Sequence, residues 1–406
     1  MKSPARLIAL LSSLTAFVPF SIDTYLPSLP QIARDLSGSA AQVQHTISAF
    51  LLGLCLGMLF YGPLSDRYGR RPLLLGSLVV YGVATLGCLF ADSVEHLIAW
   101  RFLQAIGGAG ALILARAIAR DLFGLAQAAK VLSWMHLLTM MATLVAPMIG
   151  TWLVLIDGWR TIFAALFILC GLCLLMVCVG LKESLPTQAR GTSLKGAFAA
   201  YPGIVRQPRA VALILCMALA FGGMFAFITA SPFVYVVYFG VSPRTFSWLF
   251  GLNILGIIVV TFINARWVTR FGPQRMLGVG AVLAGVAALA LMVAGHTQWG
   301  GLTSIVLCMV LYMGVTGLLG ANCTASLMNM FPGQAGASVA LGISVQFASG
   351  ALASVWVSRL ADGTPWPMCL VVGSCGLGCL VAYGISIRVP VNPAATRDEV
   401  SAPLRP

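Results

Sequence analysis

AFLLGLCLGMLFYGPLSDRYGRRPLLLGSLVVYG, residues 49–82, decides the fold. Its two ends are unbroken apolar blocks, and between them sits a short knot of charge formed by Asp66, Arg67, Arg70 and Arg71. A bilayer's hydrocarbon core is roughly 30 Å thick and a helix rises about 1.5 Å per residue, so on the order of 20 apolar residues cross it. Strands of a membrane barrel would alternate polar and apolar residues. Solid blocks instead favour helices, which satisfy their own backbone hydrogen bonds in lipid. The stretch therefore reads as two membrane helices joined by a tight charged turn.

Working outward, the pattern recurs along the whole chain. Of its 406 residues 59% are hydrophobic and 9% charged, against about 25% charged in a soluble domain, too little to cover a water-facing surface. Spans are predicted near 7–29, 44–64, 72–91, 96–118, 131–155, 160–181, 210–239, 246–265, 276–295, 299–325, 337–358 and 367–387, which makes the chain an all-α membrane protein of twelve transmembrane helices. The first span follows Lys2 and Arg6 but lacks a small-residue cleavage site and carries Asp23, Pro19, Pro27 and Pro30. It reads as a retained helix rather than a signal peptide.

The formal charge of +13 would suggest a nucleic-acid partner in a soluble protein. Here its placement gives a topology. Among the 24 Lys and Arg, only Arg34, Arg160, Arg244 and Arg359 fall on outer segments and Arg101 falls within a span, if the N-terminus is cytoplasmic. By the positive-inside rule both termini are then cytoplasmic, and no nucleic acid is expected. The polar stretch from Lys182 to Arg209 reads as a cytoplasmic linker between six-helix bundles at 1–181 and 210–387, with a cytoplasmic tail at 388–406. A faint repeat supports two halves: GPLSDRYG at 62–69 is echoed by ARWVTRFG at 265–272, with Arg67 and Gly69 matching Arg270 and Gly272 in the equivalent loop.

GPLSDRYGRRP at 62–72, with Gly62, Asp66, Arg67, Gly69, Arg70 and Arg71, resembles the loop signature of the major facilitator superfamily. RFLQAIGGAG at 101–110 is similar to that superfamily's helix-four motif, and Ala146 to Gly150, with Pro147, resembles its antiporter motif, with Ala142 and Ala146 where glycines are usual. DTYLPSLP at 23–30 and ARAIARDLF at 115–123 look like the bicyclomycin and chloramphenicol resistance group of drug:proton antiporters. The resemblance implies a bacterial inner-membrane exporter of small amphipathic drugs, driven by the proton gradient and without a cofactor. Asp66 would sit in one state against the N-terminal end of a helix of the other half, helix eleven by the same analogy, and on the residues themselves Arg70 would pair with Asp121 at the cytoplasmic end of helix four. On the residues alone, this loop also reads as a topology anchor.

Asp23 carries the strongest functional expectation, because a carboxylate in a span costs roughly 2.5–3.5 kcal/mol at mid-membrane and is rarely left without a role. By count along the helices, Asp23 and Arg101 lie at similar depth, about 8 Å from the outer surface. An ion pair between them is the simplest way to tolerate both. The expected mechanism has Asp23 take a proton from outside while proton and substrate compete, with Arg101 moving toward or away from it. No GxxxxGK[ST] loop is present to offer a nucleotide instead.

A drug pocket would be apolar with a few polar groups. Candidates are Phe17, Tyr25, Met140, Met141, Phe221 and Phe225, and the amides Asn253, Asn322 and Gln346. For the Met and aromatic residues, packing is the commoner role, and for the amides an interhelical hydrogen bond. Arg116, near the inner end of helix four, reads equally as a lipid-phosphate anchor or as a cavity-lining charge. The eleven Cys lie in apolar spans and Cys170-x-x-Cys173 has no His beside it, so no metal site is expected.

These readings converge on a secondary transporter acting as a monomer. A metabolite exporter for a sugar or nucleoside is the nearest alternative, since fold does not decide substrate. A membrane-embedded enzyme would need clustered His, Asp or Ser at facing mid-helix positions, which the chain lacks.

Overall fold

The computed structural model describes residues 4–123, 125–186 and 201–389. Lys2, the middle of the linker with Arg190 and Lys195, and the tail with Arg397, Asp398, Glu399 and Arg405 lie outside the described residues. Twelve helices are long and apolar enough to cross a membrane, and among the described residues there is no strand. The first six are α1 (Pro4–Asp23), α2 (Ala40–Tyr68), α3 (Arg70–Leu89), α4 (Val94–Leu122), α5 (Leu125–Asp157) and α6 (Arg160–Gly180). The second six are α7 (Pro208–Pro232), α8 (Pro243–Phe271), α9 (Pro273–Thr297), α10 (Gly301–Met330), α11 (Ala335–Arg359) and α12 (Trp366–Arg388).

Side chains that prefer hydrocarbon to water cover the outside. Trp152, Leu155 and Val179 are 78%, 79% and 83% exposed, which only a lipid environment makes favourable. The starts of α2, α4 and α8, on the outer side, the face opposite the two termini, carry hydroxyl caps. Ser39 Oγ accepts from Gln42 N at 3.2 Å while Gln42 Oε1 accepts from Ser39 N at 2.8 Å, and Ser242 Oγ accepts from Thr245 N at 3.1 Å at the start of α8. The loop echo has a backbone cause. Gly69 and Gly272 adopt φ of 97° and 79°, a region that favours glycine, and each turns one helix sharply into the next.

Helix pairing repeats with a shift of six. α2 packs on α4, α3 on α4, α1 on α5 and α3 on α6; correspondingly α8 packs on α10, α9 on α10, α7 on α11 and α9 on α12. Between the two groups the principal contacts are α2 with α11 and α5 with α8, which the same shift relates to each other. Close approach within the first group uses small residues. A Cβ on Gly107 would lie 2.5 Å from the backbone nitrogen of Tyr81, so only glycine lets α4 meet α3 at that point.

The two groups are held together on the outer side. Ser48 of α2 donates to Ser354 of α11 at 2.7 Å, and Ser354 bonds Thr229 of α7 at 2.7 Å. Thr151 of α5 bonds Ser247 of α8 at 2.9 Å, and Ser247 donates to the Pro147 carbonyl at 3.1 Å. At the inner side, a Cβ on Gly62 of α2, or on Gly333 or Gly336 at the start of α11, would meet nothing within 4 Å. The hydrogen bonds that join the two groups thus hold the outer side, while these inner-face glycines stand in open space.

Candidate functional site

Pro27 and Pro30 break the first span. α1 stops at Asp23, a turn follows, Leu26–Ser28 forms a short tight helix, and Leu29–Asp35 forms a second one. Asp23 is thus not near a free outer end; the span continues past it to Asp35, and Tyr25, Leu26 and Leu29 are fully buried. α5 comes to this break through its proline-glycine motif. A Cβ on Gly150 would collide with the carbonyl oxygen of Thr24, so the motif's glycine sets how closely α5 holds the backbone next to Asp23. The Pro147 carbonyl accepts from Thr151 Oγ1 at 3.0 Å as well as from Ser247, joining the same segment to the outer closure.

The expected Asp23–Arg101 ion pair is not made. Arg101 is fully buried, donates from Nη1 to Gln104 Oε1 at 2.7 Å, and stacks its guanidinium 4.2 Å from the Phe50 centroid and 4.6 Å from that of Tyr25. Gln104 in turn donates to Thr85 at 2.8 Å. Nε and Nη2 of Arg101 have no partner. Asp23 is 5% exposed and makes no hydrogen bond or ion pair among the described residues. The reason is azimuth: residues two apart on a helical turn point to opposite sides, so with Tyr25 turned to Arg101, Asp23 is turned away. Depth along a helix is countable from sequence, whereas direction around a broken helix is not.

Tyr25 and Phe17, expected near a drug pocket, are core residues. Tyr25 bonds Thr46 at 2.9 Å, and Phe17 packs edge-on against Tyr81 at 4.8 Å. Asn322 is committed to Asn264 at 2.8 Å, and Asn253 donates to the Leu249 carbonyl at 3.0 Å while its Oδ1 has no partner. Gln346 and Met140 are half-buried, and Met141 is exposed. Phe221 and Phe225 do come together, 4.9 Å apart, and Phe347 of α11 joins them at 5.1 Å from Phe221. Phe347 was not anticipated: it lies in a helix of small residues with no periodic apolar signal. The cluster lies one turn inward of Thr229 and two turns inward of Ser354, directly beneath the outer closure.

At the inner face, Arg70 binds Asp66 at 2.7 Å and Asp121 at 3.1 Å, and Ser65 as well. Asp66 is 57% exposed, so its expected seat against α11 is vacant in this arrangement and Arg70 holds it instead. Glu183, which the sequence reading had treated as linker, completes the cluster. Its Oε1 accepts from the backbone N of Arg70, Ser184 and Leu185, each at 3.0 Å, and its Oε2 from Arg71 N at 3.3 Å. Ser184 also donates to Asp121 at 3.1 Å. Partial burial pushes the Glu183 carboxyl up, but these backbone donors outweigh it and hold it below its ordinary value. A carboxylate over the first N–H groups of α3 is also favoured by the helix dipole.

Among the described residues no group of His, Cys, Asp and Glu could hold a metal ion.

The chain matches the sequence profile of the Major Facilitator Superfamily over residues 11–354 and again over 213–406. It is 32% identical to the bicyclomycin resistance protein homolog of Haemophilus influenzae, with 94% of this chain and 96% of that protein covered. It is 30% identical to a chloramphenicol resistance protein of Pseudomonas aeruginosa, with 71% and 69% covered. A solved structure of the nucleoside transporter NupG superposes with a TM-score of 0.75 at 13% identity, covering 96% of this chain and all of that one, a likeness of fold.

Proposed function

Because this chain belongs to the Major Facilitator Superfamily of membrane transporters, we propose that it exports small amphipathic drugs from the bacterial cytoplasm in exchange for protons, as a monomer in the inner membrane with both termini inside. The relatives named for bicyclomycin and chloramphenicol resistance support the drug reading. The distribution of Lys and Arg supports the orientation.

One observation carries the coupling: Asp23 is buried, without a partner among the described residues, where α1 breaks. A carboxylate left alone at membrane depth is costly, and taking up a proton removes the cost. Two nitrogens of Arg101 are also without partners. A turn of the segment 23–25 that replaces Tyr25 by Asp23 against Arg101 would stabilise the carboxylate and release the proton. In this scheme the drug enters the inward-open cavity as the proton leaves to the cytoplasm. After the outer closure parts, the drug leaves and a new proton arrives from outside. The proton-motive force supplies about 2.3 kcal/mol per charge per 100 mV.

The test is drug-driven proton flux in proteoliposomes. Asp23→Asn is expected to abolish the flux while leaving the protein folded; undiminished flux in that variant refutes the coupling role. Growth of a drug-sensitive host expressing the chain checks the substrate class, and failure to protect against any drug favours a metabolite exporter.

A further inference from the structure

Arg116 belongs to a narrow stripe on α4. Ala115, Ala117, Ile118 and Ala119 beside it are 0–2% exposed, whereas Arg116 and, one turn on, Arg120 are exposed and Ile113, one turn back, is half-exposed. α4 packs on α1, α2 and α3 and touches α5, so most of its circumference is covered. An exposed stripe left on a helix so enclosed lines a concave cavity. The stripe does not face hydrocarbon, because two guanidinium groups spaced along one face of a helix would be costly there. Lipid-phosphate anchoring fits Arg120, but Arg116 lies six residues inside the end of α4, about 9 Å by helical rise.

The neighbour of Arg116 is also basic. His136 of α5 is exposed and lies within electrostatic range of it. No acid among the described residues answers them. Of the 11 Asp and Glu, only Asp23 lies at membrane depth, at the far end of α1, and the inner-face acids Asp66 and Asp121 are held by Arg70. A cavity wall with an uncompensated guanidinium attracts anionic or electron-rich groups and repels cations. Counting about 1.5 Å per residue, Phe221 on α7 lies roughly 10 Å further from the inner face than Arg116 does on α4.

We propose that Arg116 is a specificity-determining residue of the inward-open cavity, selecting amphipathic substrates that are acidic or neutral. Their acidic or electron-rich group meets Arg116 and their apolar body reaches toward the Phe221–Phe225–Phe347 cluster. Organic cations are excluded by the same charge. This rests on the exporter reading above but concerns binding from the inner side, which needs no proton gradient.

The experiment is equilibrium binding to the purified protein in lipid nanodiscs with three probes: nalidixate (a carboxylate), chloramphenicol (neutral) and ethidium (a cation). Wild type is expected to bind nalidixate and chloramphenicol at least tenfold more tightly than ethidium. Arg116→Gln is expected to weaken nalidixate about tenfold and chloramphenicol less than threefold, Arg116→Lys to retain nalidixate, and Arg116→Glu to admit ethidium. Equal losses for nalidixate and chloramphenicol in Arg116→Gln would indicate a structural role and overturn the proposal. So would tight ethidium binding, or no nalidixate binding, by wild type. If the binding pattern holds but no probe drives proton flux, the exporter reading fails and the charge selectivity stands.

Discussion

The two six-helix groups share one pattern of helix pairing and differ sharply in chemistry. The two buried charges deep in the spans, Asp23 and Arg101, both lie in the first. α10, which the six-helix shift relates to α4, has no charged residue, and what the second group contributes at depth is aromatic and amide, Phe221, Phe225, Phe347 and the Asn264–Asn322 pair. The inner loops differ likewise. Gly69 and Gly272 make the same turn, but only the first is enclosed by a network of Asp66, Arg70, Asp121 and Glu183. Backbone symmetry has been kept where it sets the shape of two rocking bodies, and side chains have diverged so that one body handles charge and the other apolar surface.

The largest effect expected from perturbing this asymmetry comes at Gly150. Gly150→Val would push α5 off the Thr24 backbone, at about 1–3 kcal/mol for an overpacked site, and transport should fall roughly tenfold or more, equivalent to about 1.4 kcal/mol. Gly384→Ala in α12, where a Cβ meets nothing, should leave flux unchanged. Next, Arg70→Ala should lower stability by about 1–3 kcal/mol, since it strands the partly buried Asp121. Arg275→Ala at the matching turn should stay within about 0.5 kcal/mol; melting temperatures in detergent compare the two.

Glu183→Gln should cost about 0.5–1 kcal/mol as a lost helix cap, reduced by the solvent around a partly exposed carboxylate. Its pH dependence has a definite sign. Because the folded carboxyl sits below its ordinary value of 4.5, its contribution is complete above that pH and is lost as the pH falls through the lower folded value. Wild type should therefore lose the advantage over Glu183→Gln on acidification below about 4.5. Smallest is Ser354→Ala, worth about 0.5–1.5 kcal/mol, which should raise labelling of a cysteine placed at Ser48 by an impermeant outside reagent.

What could be read from the sequence followed physical periodicity. The twelve spans, and the Arg70–Asp121 encounter at 3.1 Å, were legible because apolar length and loop charge are one-dimensional signals. Asp23 and Arg101 were legible as exceptional residues but not as two that fail to meet, since direction around an interrupted helix is not countable along the chain. Glu183 was hidden because it stands at the start of a polar stretch, where an acid has no pattern to violate; two of its partners, the backbone N–H groups of Arg70 and Arg71, are far away in sequence. Ser48, Thr229 and Ser354 were hidden for a similar reason: isolated hydroxyls among small residues carry no periodicity.

The shared hydroxyl of Ser354 has a kinetic consequence. It faces Ser48 across the seam and Thr229 within its own group. When the seam parts, Ser354 keeps Thr229, so no buried polar atom is orphaned on that side and this contact forfeits about one hydrogen bond, on the order of 0.5–1.5 kcal/mol, beside the two that Ser247 makes to α5. A gate built this way parts at modest cost. Binding that differs between the two states by only a few kcal/mol is enough to reverse which of them is populated.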